Sequence, residues 1–392
     1  MNPSLPVLNR RSGDTVLFAT VLALLAVGLV MVYSASSIVA YDSLSDSAYF
    51  FKRQAMWIVL GLAAMLVARG VHYQRLRAAA VPLLLVAVAL LVAVLFPSIG
   101  RVAGGARRWI VLGPASFQPV EVAKLALLVY LAQFGARRAM AIRNLRRGIL
   151  PPLAVATVLA VLVLRQPNAG SAFLLVGVAV AVLFLAGARL AHLGLLVVAA
   201  LPAAVVAVVA AHYRLQRVLT FLNPWQDPQG SGFNVIQSML AFGSGGLFGV
   251  GLGASSQKFF YLPERHTDFI FAIVGEELGL VGSAGLLLIF ALFAYRGLRI
   301  ARAAPDRFGA LLAAGITVSI TGQALLNMGV ATGILPVAGI PLPFVSFGGS
   351  SLLMTMIQVG ILSNISMYAH ADTPAASRRG PEAVREHAWG VS

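Results

Sequence analysis

The sequence predicts an all-α, polytopic integral membrane protein of about ten transmembrane helices, with one large extracytoplasmic connection between the seventh and the eighth. Three observations predict it. Apolar residues make up 59% of the 392-residue chain. Only 11% of residues are charged, against roughly 25% in an ordinary soluble domain. The apolar residues gather into stretches of about 20, the length that crosses a hydrocarbon core at 1.5 Å per residue.

In chain order the expected spans are residues 15–37, 53–70, 77–96, 119–136, 149–165, 170–187, 190–212, 268–295, 309–333 and 343–368. The first follows Arg10 and Arg11 and is longer than the roughly 7–15 apolar residues of a signal peptide's core, so it reads as a retained anchor. With residues 1–14 in the cytoplasm, most Lys and Arg fall on the inner side, including Arg69, Arg75, Arg137, Arg138, Arg146, Arg147, Arg299 and Arg302. Both termini are then cytoplasmic. Residues 15–368 form the membrane domain, and the polar tail 369–392 is expected to be disordered.

The net charge of +16 comes from small basic groups between apolar runs, which is a membrane pattern and not a nucleic-acid footprint. Cysteine is absent, so disulfides and thiolate nucleophiles or ligands are excluded. There is no HExxH, no GxSxG and no Asp-x-Asp metal motif. The connection 213–267 carries Asn223, Pro224, Trp225 and Asp227, then a glycine-rich run from Gly243 to Gly253 that fits neither a dinucleotide nor a Walker A pattern. Glycines there serve close packing, or else an irregular backbone lining a wet cavity.

Charge inside an apolar span needs a reason. Glu121 and Lys124 lie three residues apart near the outer end of the fourth span, hence on one helix face. They are either a self-neutralising buried pair or part of a polar cavity beneath Arg107 and Arg108, whose guanidinium forks suit phosphate. Asp268 opens the eighth span at the outer surface beside Arg265 and His266. It is either a helix cap or a general base. Glu276 and Glu277 lie about 12–13.5 Å deeper at helical rise, too far to share its reacting centre easily. The stretch from Gly339 to Ser351, stiff at its prolines and permissive at its glycines, is a shaped turn or a cavity wall.

Several strings, namely Val32 to Ser37, Gly105 to Ile110, Phe117 to Leu125, Pro263 to Phe271 and Pro341 to Ser351, together resemble the SEDS family of cell-wall polymerases, in order, over about residues 14–368. The wording from Glu264 to Asp268 is more like the division branch than the elongation branch. The resemblance implies a peptidoglycan glycosyltransferase of the bacterial inner membrane, at the division septum, that polymerises lipid II on the outer face and releases undecaprenyl pyrophosphate. The family's essential carboxylate matches Asp268, and its fourth-helix acid and lysine match Glu121 and Lys124. The expected substrate-binding set is Arg107, Arg108, Gln118, Glu121, Lys124, Asn168, His266, Ser346 and Ser350. The family usually carries Asp where this chain has Asn168, which unsettles any acidic or metal-binding role there. No protein-held metal is expected, and a Mg or Mn ion on the pyrophosphate stays open. The implied partners are a class B penicillin-binding protein and other division proteins. A lipid II flippase, an elongation polymerase and a proton-coupled transporter using Glu276 and Glu277 are the rival readings.

Overall fold

The computed structural model describes residues 13–103, 105–113, 115–256 and 266–369. The expectations for residues 1–12, for the tail 370–392 and for Lys258, Glu264 and Arg265 fall outside the described residues.

The described helices are α1 (Thr15–Leu44), α2 (Tyr49–Gly70), α3 (Gln74–Ala93), α4 (Pro119–Arg137), α5 (Leu150–Leu164), α6 (Ala169–Leu185), α7 (Leu190–Val209), α8 (His212–Leu222), α9 (Phe233–Gly245), α10 (Ile270–Arg302), α11 (Arg307–Ala331) and α12 (Gly349–Ala369). Among the described residues, eight helical segments are long and apolar enough to cross a membrane, and α6 and the first part of α7 are shorter apolar helices. A helix closes its own backbone hydrogen bonds, which is why apolar runs of this length take no other form in lipid. The protein is therefore a polytopic helical membrane protein.

Helices α4, α11 and α12 are the most buried and form the centre, with α2 on α12, α3 on α4, and α1 and α9 on α10. Polar groups pin the helix ends opposite the sheet described below. Asp14 caps α1 by accepting from the Leu17 amide at 2.9 Å and pairs with Arg296 of α10, whose Nε lies 3.0 Å away. Asp306 caps α11 at the Phe308 amide and takes the Tyr73 hydroxyl. Arg307 donates to the carbonyls of Gly135 and Ala186 at the ends of α4 and α6, satisfying acceptors that those helices cannot satisfy themselves.

Three features depart from the simple pattern of spans. Between α3 and α4 the chain forms a three-stranded antiparallel sheet of β1 (Gly100–Ala103), β2 (Ala106–Leu112) and β3 (Ala115–Phe117), with Arg101 opposite Trp109 and Ile110 opposite Phe117. Gly105 and Gly113, at φ 71° and 61°, supply the left-handed backbone needed between its strands. The connection expected over 213–267 contains α8 and α9. The last span begins at Gly349 and not near 343, because 339–348 is an irregular loop folded into the bundle.

The glycine-rich run is used for close packing. Helix α10 breaks at Gly279 (φ 67°, ψ −162°), freeing backbone groups inside the bundle. The amides of Val250 and Gly251 donate to the carbonyls of Glu276 and Glu277, and those of Leu280 and Val281 donate to Gly246 and Leu247. A Cβ on Gly249 would come within 2.2 Å of the Glu277 carbonyl oxygen, so only glycine permits the approach. The two carboxylates are also engaged. Glu277 accepts from Ser34 of α1 at 2.6 and 2.7 Å, and Glu276 accepts from the Ser255 hydroxyl and from the amide and hydroxyl of Ser256. Both are fully buried and tie α1 and the connection after α9 to the broken helix. Replacing Ser34→Ala leaves a buried acceptor short of its donor and should cost about 1–3 kcal/mol. Thermal unfolding in detergent, read as a double-mutant cycle with Glu277→Gln, measures that coupling.

Candidate active site

Asp268 sits in the turn His266–Phe269, just before α10 begins, and is half-buried. Its place is set through its backbone. The carbonyls of His266, Thr267 and Asp268 each accept a hydrogen bond from another part of the fold. The Phe347 amide donates to His266 at 2.9 Å, the Ser346 hydroxyl to Thr267 at 2.5 Å, and the Asn327 side-chain amide to Asp268 at 2.7 Å. Three consecutive carbonyls held from two elements leave the segment little freedom, which is what a positioned acid requires.

The donors are themselves braced. Ser346 accepts from the Leu342 amide at 2.8 Å and its own amide returns to the Leu342 carbonyl at 3.0 Å, closing the loop 342–346 on itself. Within it Phe344 has φ 66°, a strained conformation for a bulky residue, and is buried against Phe293. Helix α1 reaches this loop at Gly28, where a Cβ would lie 2.4 Å from the Phe344 carbonyl oxygen. Asn327 also donates to Ile340, and Gln323, one turn earlier on α11, donates to Pro341 at 2.9 Å. Gln323 accepts from Lys124 Nζ at 2.7 Å, and Lys124 pairs with Glu121 at 2.7 Å. Glu121 and Lys124 are 2% and 5% exposed. A polar chain thus runs from α4 through α11 to the loop against Asp268, and removing either charge would strand the other in the interior.

A cavity of about 510 Å³ opens on the Val337 side of the loop that packs against Asp268. The sheet contributes Arg108 to its wall, and α8 contributes Tyr213, Gln216, Arg217 and Thr220. Ser231, Asn234 and Val337 complete the far side. The spacing 213, 216, 217, 220 is one face of a helix. On the other faces of α8, Leu219 and Leu222 are exposed. Arg217 donates to the Val337 carbonyl at 3.2 Å, two residues before Gly339, where a Cβ would stand 3.7 Å from Asp268 Oδ2. Burial pushes the Arg217 guanidinium below its usual value; Tyr213 and the Asp268 charge oppose that shift, and Arg108 adds to it. Arg217 therefore links the two: it lines the cavity with Arg108 and feels the charge of Asp268. Thr220 bonds Ser231 at 2.8 Å. Asp227 accepts from the amides of Ser231 and Gly230, which hold its carboxyl below the ordinary range and shape the turn between α8 and α9.

The sequence-derived residues are dispersed around this frame. Arg108 faces the cavity and its Nε has no partner among the described residues. Arg107, its strand neighbour, turns its Nη1 to the Leu95 carbonyl at 3.3 Å, since successive strand residues point to opposite sides. Gln118 precedes α4 and gives its carbonyl to the Glu121 amide. Asn168 caps α6 at the Ser171 amide, 3.2 Å away, and its Nδ2 is buried without a partner among the described residues. The His266 ring lies 4.7 Å from Phe50 and 5.9 Å from Phe347. Ser350 is buried in the first turn of α12. Sequence reasoning misses Arg217, Gln323 and Asn327. The polar stripe of α8 is readable as a 3–4 spacing, but the two amides of α11 carry no charge to mark them. No three His, Asp or Glu side chains converge as they would on a metal ion among the described residues. Removing two of the tethers with Ser346→Ala and Asn327→Ala should raise hydrogen exchange at the amides of residues 266–270 at least about tenfold relative to the α11 core, by mass spectrometry.

Comparison with known proteins gives a consistent answer. Residues 14–371 match the family model for FtsW, RodA and SpoVE, described as cell cycle protein. The chain is 45% identical to stage V sporulation protein E of Bacillus subtilis over 360 residues, 92% of this chain and 98% of that protein. It is 48% identical to a "Probable peptidoglycan glycosyltransferase FtsW" of Trichlorobacter lovleyi over 353 residues, 90% of this chain and 93% of that one. Among solved structures, a chain from a study of polymerization and crosslinking by a peptidoglycan synthase complex superposes with a TM-score of 0.76 at 34% identity, covering 92% of this chain and 99% of that chain. RodA of Thermus thermophilus superposes with a TM-score of 0.66 at 30% identity, covering 91% and 97%. With the whole membrane domain matched in sequence and in fold, this chain belongs to the FtsW/RodA/SpoVE family of cell cycle proteins.

Proposed function

We propose that this protein is a peptidoglycan glycosyltransferase that polymerises lipid II at the outer face of the bacterial cytoplasmic membrane, in septal wall synthesis. The observation that carries the reading is Asp268, its backbone held by three tethers, with its charge acting on Arg217, which lines a polar cavity together with Arg108. The growing glycan on undecaprenyl pyrophosphate is the donor and lipid II the acceptor. Asp268 accepts the proton of the acceptor's sugar 4-hydroxyl as that oxygen bonds to the donor's anomeric carbon. The bond from that carbon to the diphosphate oxygen breaks, its electron pair leaves with undecaprenyl pyrophosphate, and the α link becomes a β-1,4 link. Diphosphate is a good leaving group and needs positive charge more than a second acid.

A transporter needs available polar groups through the membrane's depth. Glu276 and Glu277 are bonded to serines, so the acids best placed for a relay are engaged in holding the fold. A Mg or Mn ion would be carried by the diphosphate's own oxygens, which are hard ligands of the kind such ions prefer. Relatives named as glycosyltransferases, and the synthase complex that couples polymerization to crosslinking, support a class B penicillin-binding protein as partner.

Purified protein given labelled lipid II, with its transpeptidase partner, should yield a glycan ladder that Asp268→Asn lowers at least about a hundredfold. A full-strength ladder from that variant removes Asp268 as the base, and transfer of lipid II between leaflets without elongation replaces the reading by a flippase. Orientation has a separate check. The chain has no native cysteine, so Asp227→Cys should react with an impermeant maleimide from the outer side in spheroplasts.

A further inference from the structure

The reaction above needs a place for the departing diphosphate, and Arg107 and Lys124 are committed elsewhere: one to the Leu95 carbonyl, the other to Glu121 and Gln323. We propose that the cavity between the sheet and α8 is a subsite for a lipid-linked diphosphate, gripped between the guanidiniums of Arg108 and Arg217. The inference rests on the reading of the chain as a glycosyltransferase. It adds Arg217, from the long connection between α7 and α10, as the second cation of the site.

Two like charges face one cavity of about 510 Å³, large enough for a headgroup by the usual range of ligand sites. Both are partly buried, and two cations held on one wall with no anion between them are unfavourable. The Nε of Arg108 is buried and unpartnered among the described residues, and Arg217 spends one N–H on Val337 while its remaining donors are available to a ligand. Burial lowers the Arg217 guanidinium's hold on its proton and the neighbouring Arg108 cation adds to this, against the opposing Tyr213 and Asp268. Gln216, Thr220 and Asn234 add neutral amide and hydroxyl groups along the same wall, and no carboxylate lines it among the described residues. Two forks with neutral donors suit a diphosphate, whose oxygens accept bidentate pairs. Asp268 lies on the Val337–Gly339 side, so its negative charge repels the anion toward Arg108, and Arg217 is influenced by the charges of both. Arg217 thereby stands between the base and the leaving group and takes up the charge that develops on the diphosphate.

The test measures binding and needs no turnover. Farnesyl diphosphate, inorganic diphosphate and farnesol are titrated against the purified full-length protein in detergent by calorimetry. Farnesyl diphosphate should bind, farnesol should not, and Arg217→Gln should weaken the diphosphate at least about tenfold, with Arg217→Lys between the two. Arg101→Gln, an exposed charge on the same sheet, should leave the affinity unchanged, separating local from net charge. Asp268→Asn should bind as tightly as the unaltered protein or more tightly. Equal affinity for inorganic diphosphate would assign recognition to the headgroup alone, and a requirement for the farnesyl tail would assign it to the lipid-linked form. Wild-type affinity in a folded Arg217→Gln protein, judged by elution and melting temperature, overturns the subsite, as does equal binding of farnesol. If Asp268→Asn polymerises normally while Arg217→Gln loses the diphosphate, the subsite stands and the assigned base falls.

Discussion

Three carbonyl oxygens in a row, those of His266, Thr267 and Asp268, are each held by a donor from the inward-folded loop or from α11. The rest of the site depends on this constraint. A carboxylate on a free turn at a membrane surface would sample many positions, and a displacement of about 1 Å can cost about two orders of magnitude in rate. Here the backbone is fixed first and the side chain inherits its position. That explains why Ser346 and Asn327, which carry no charge, bear more directly on the placement of Asp268 than several cations that a sequence reading puts first.

The constraint extends into the bundle through Asn327, Gln323, Lys124 and Glu121. Each of these side chains is nearly inaccessible to water. A buried ion pair adds little net stability compared with a well-packed apolar replacement, but breaking one is costly, so such pairs act more to select one arrangement than to strengthen it. The pair on α4 selects the seating of the loop against α11. The acids at the break of α10 play a comparable part. Glu276 and Glu277 take serine hydroxyls from the connection after α9 and from α1, while the glycine run satisfies the freed backbone of the helix. Irregular backbone at this depth is tolerated because protein, not lipid, surrounds it.

The cavity depends on elements outside the long apolar spans. The sheet between α3 and α4 sends Arg108 into it and Arg107 away, and α8 turns its polar stripe inward while leaving Leu219 and Leu222 exposed. The membrane helices thus act as a rigid frame, and the charge that lines the cavity is carried by the short elements between them. This division of labour places an acid held by the frame next to cations held by the connections, with each able to vary without unseating the other.

Much was legible in the sequence because its causes are local. Length and apolar run set the membrane helices, since a span of about 20 residues has no other stable form in hydrocarbon. The spacing of Glu121 and Lys124 set their common face, and the dense motifs around Asp268 marked one end of the bundle as the place to look. Other properties depended on what packs against what. Whether Glu121 and Lys124 line a cavity or bury each other, which of two adjacent arginines faces the site, and which uncharged amides hold the acid in place are decided by contacts between residues far apart in the chain, such as Lys124 with Gln323, 199 positions away. Hydropathy and helical periodicity act over one or two turns and carry no record of such partners, so the tertiary structure alone determined them.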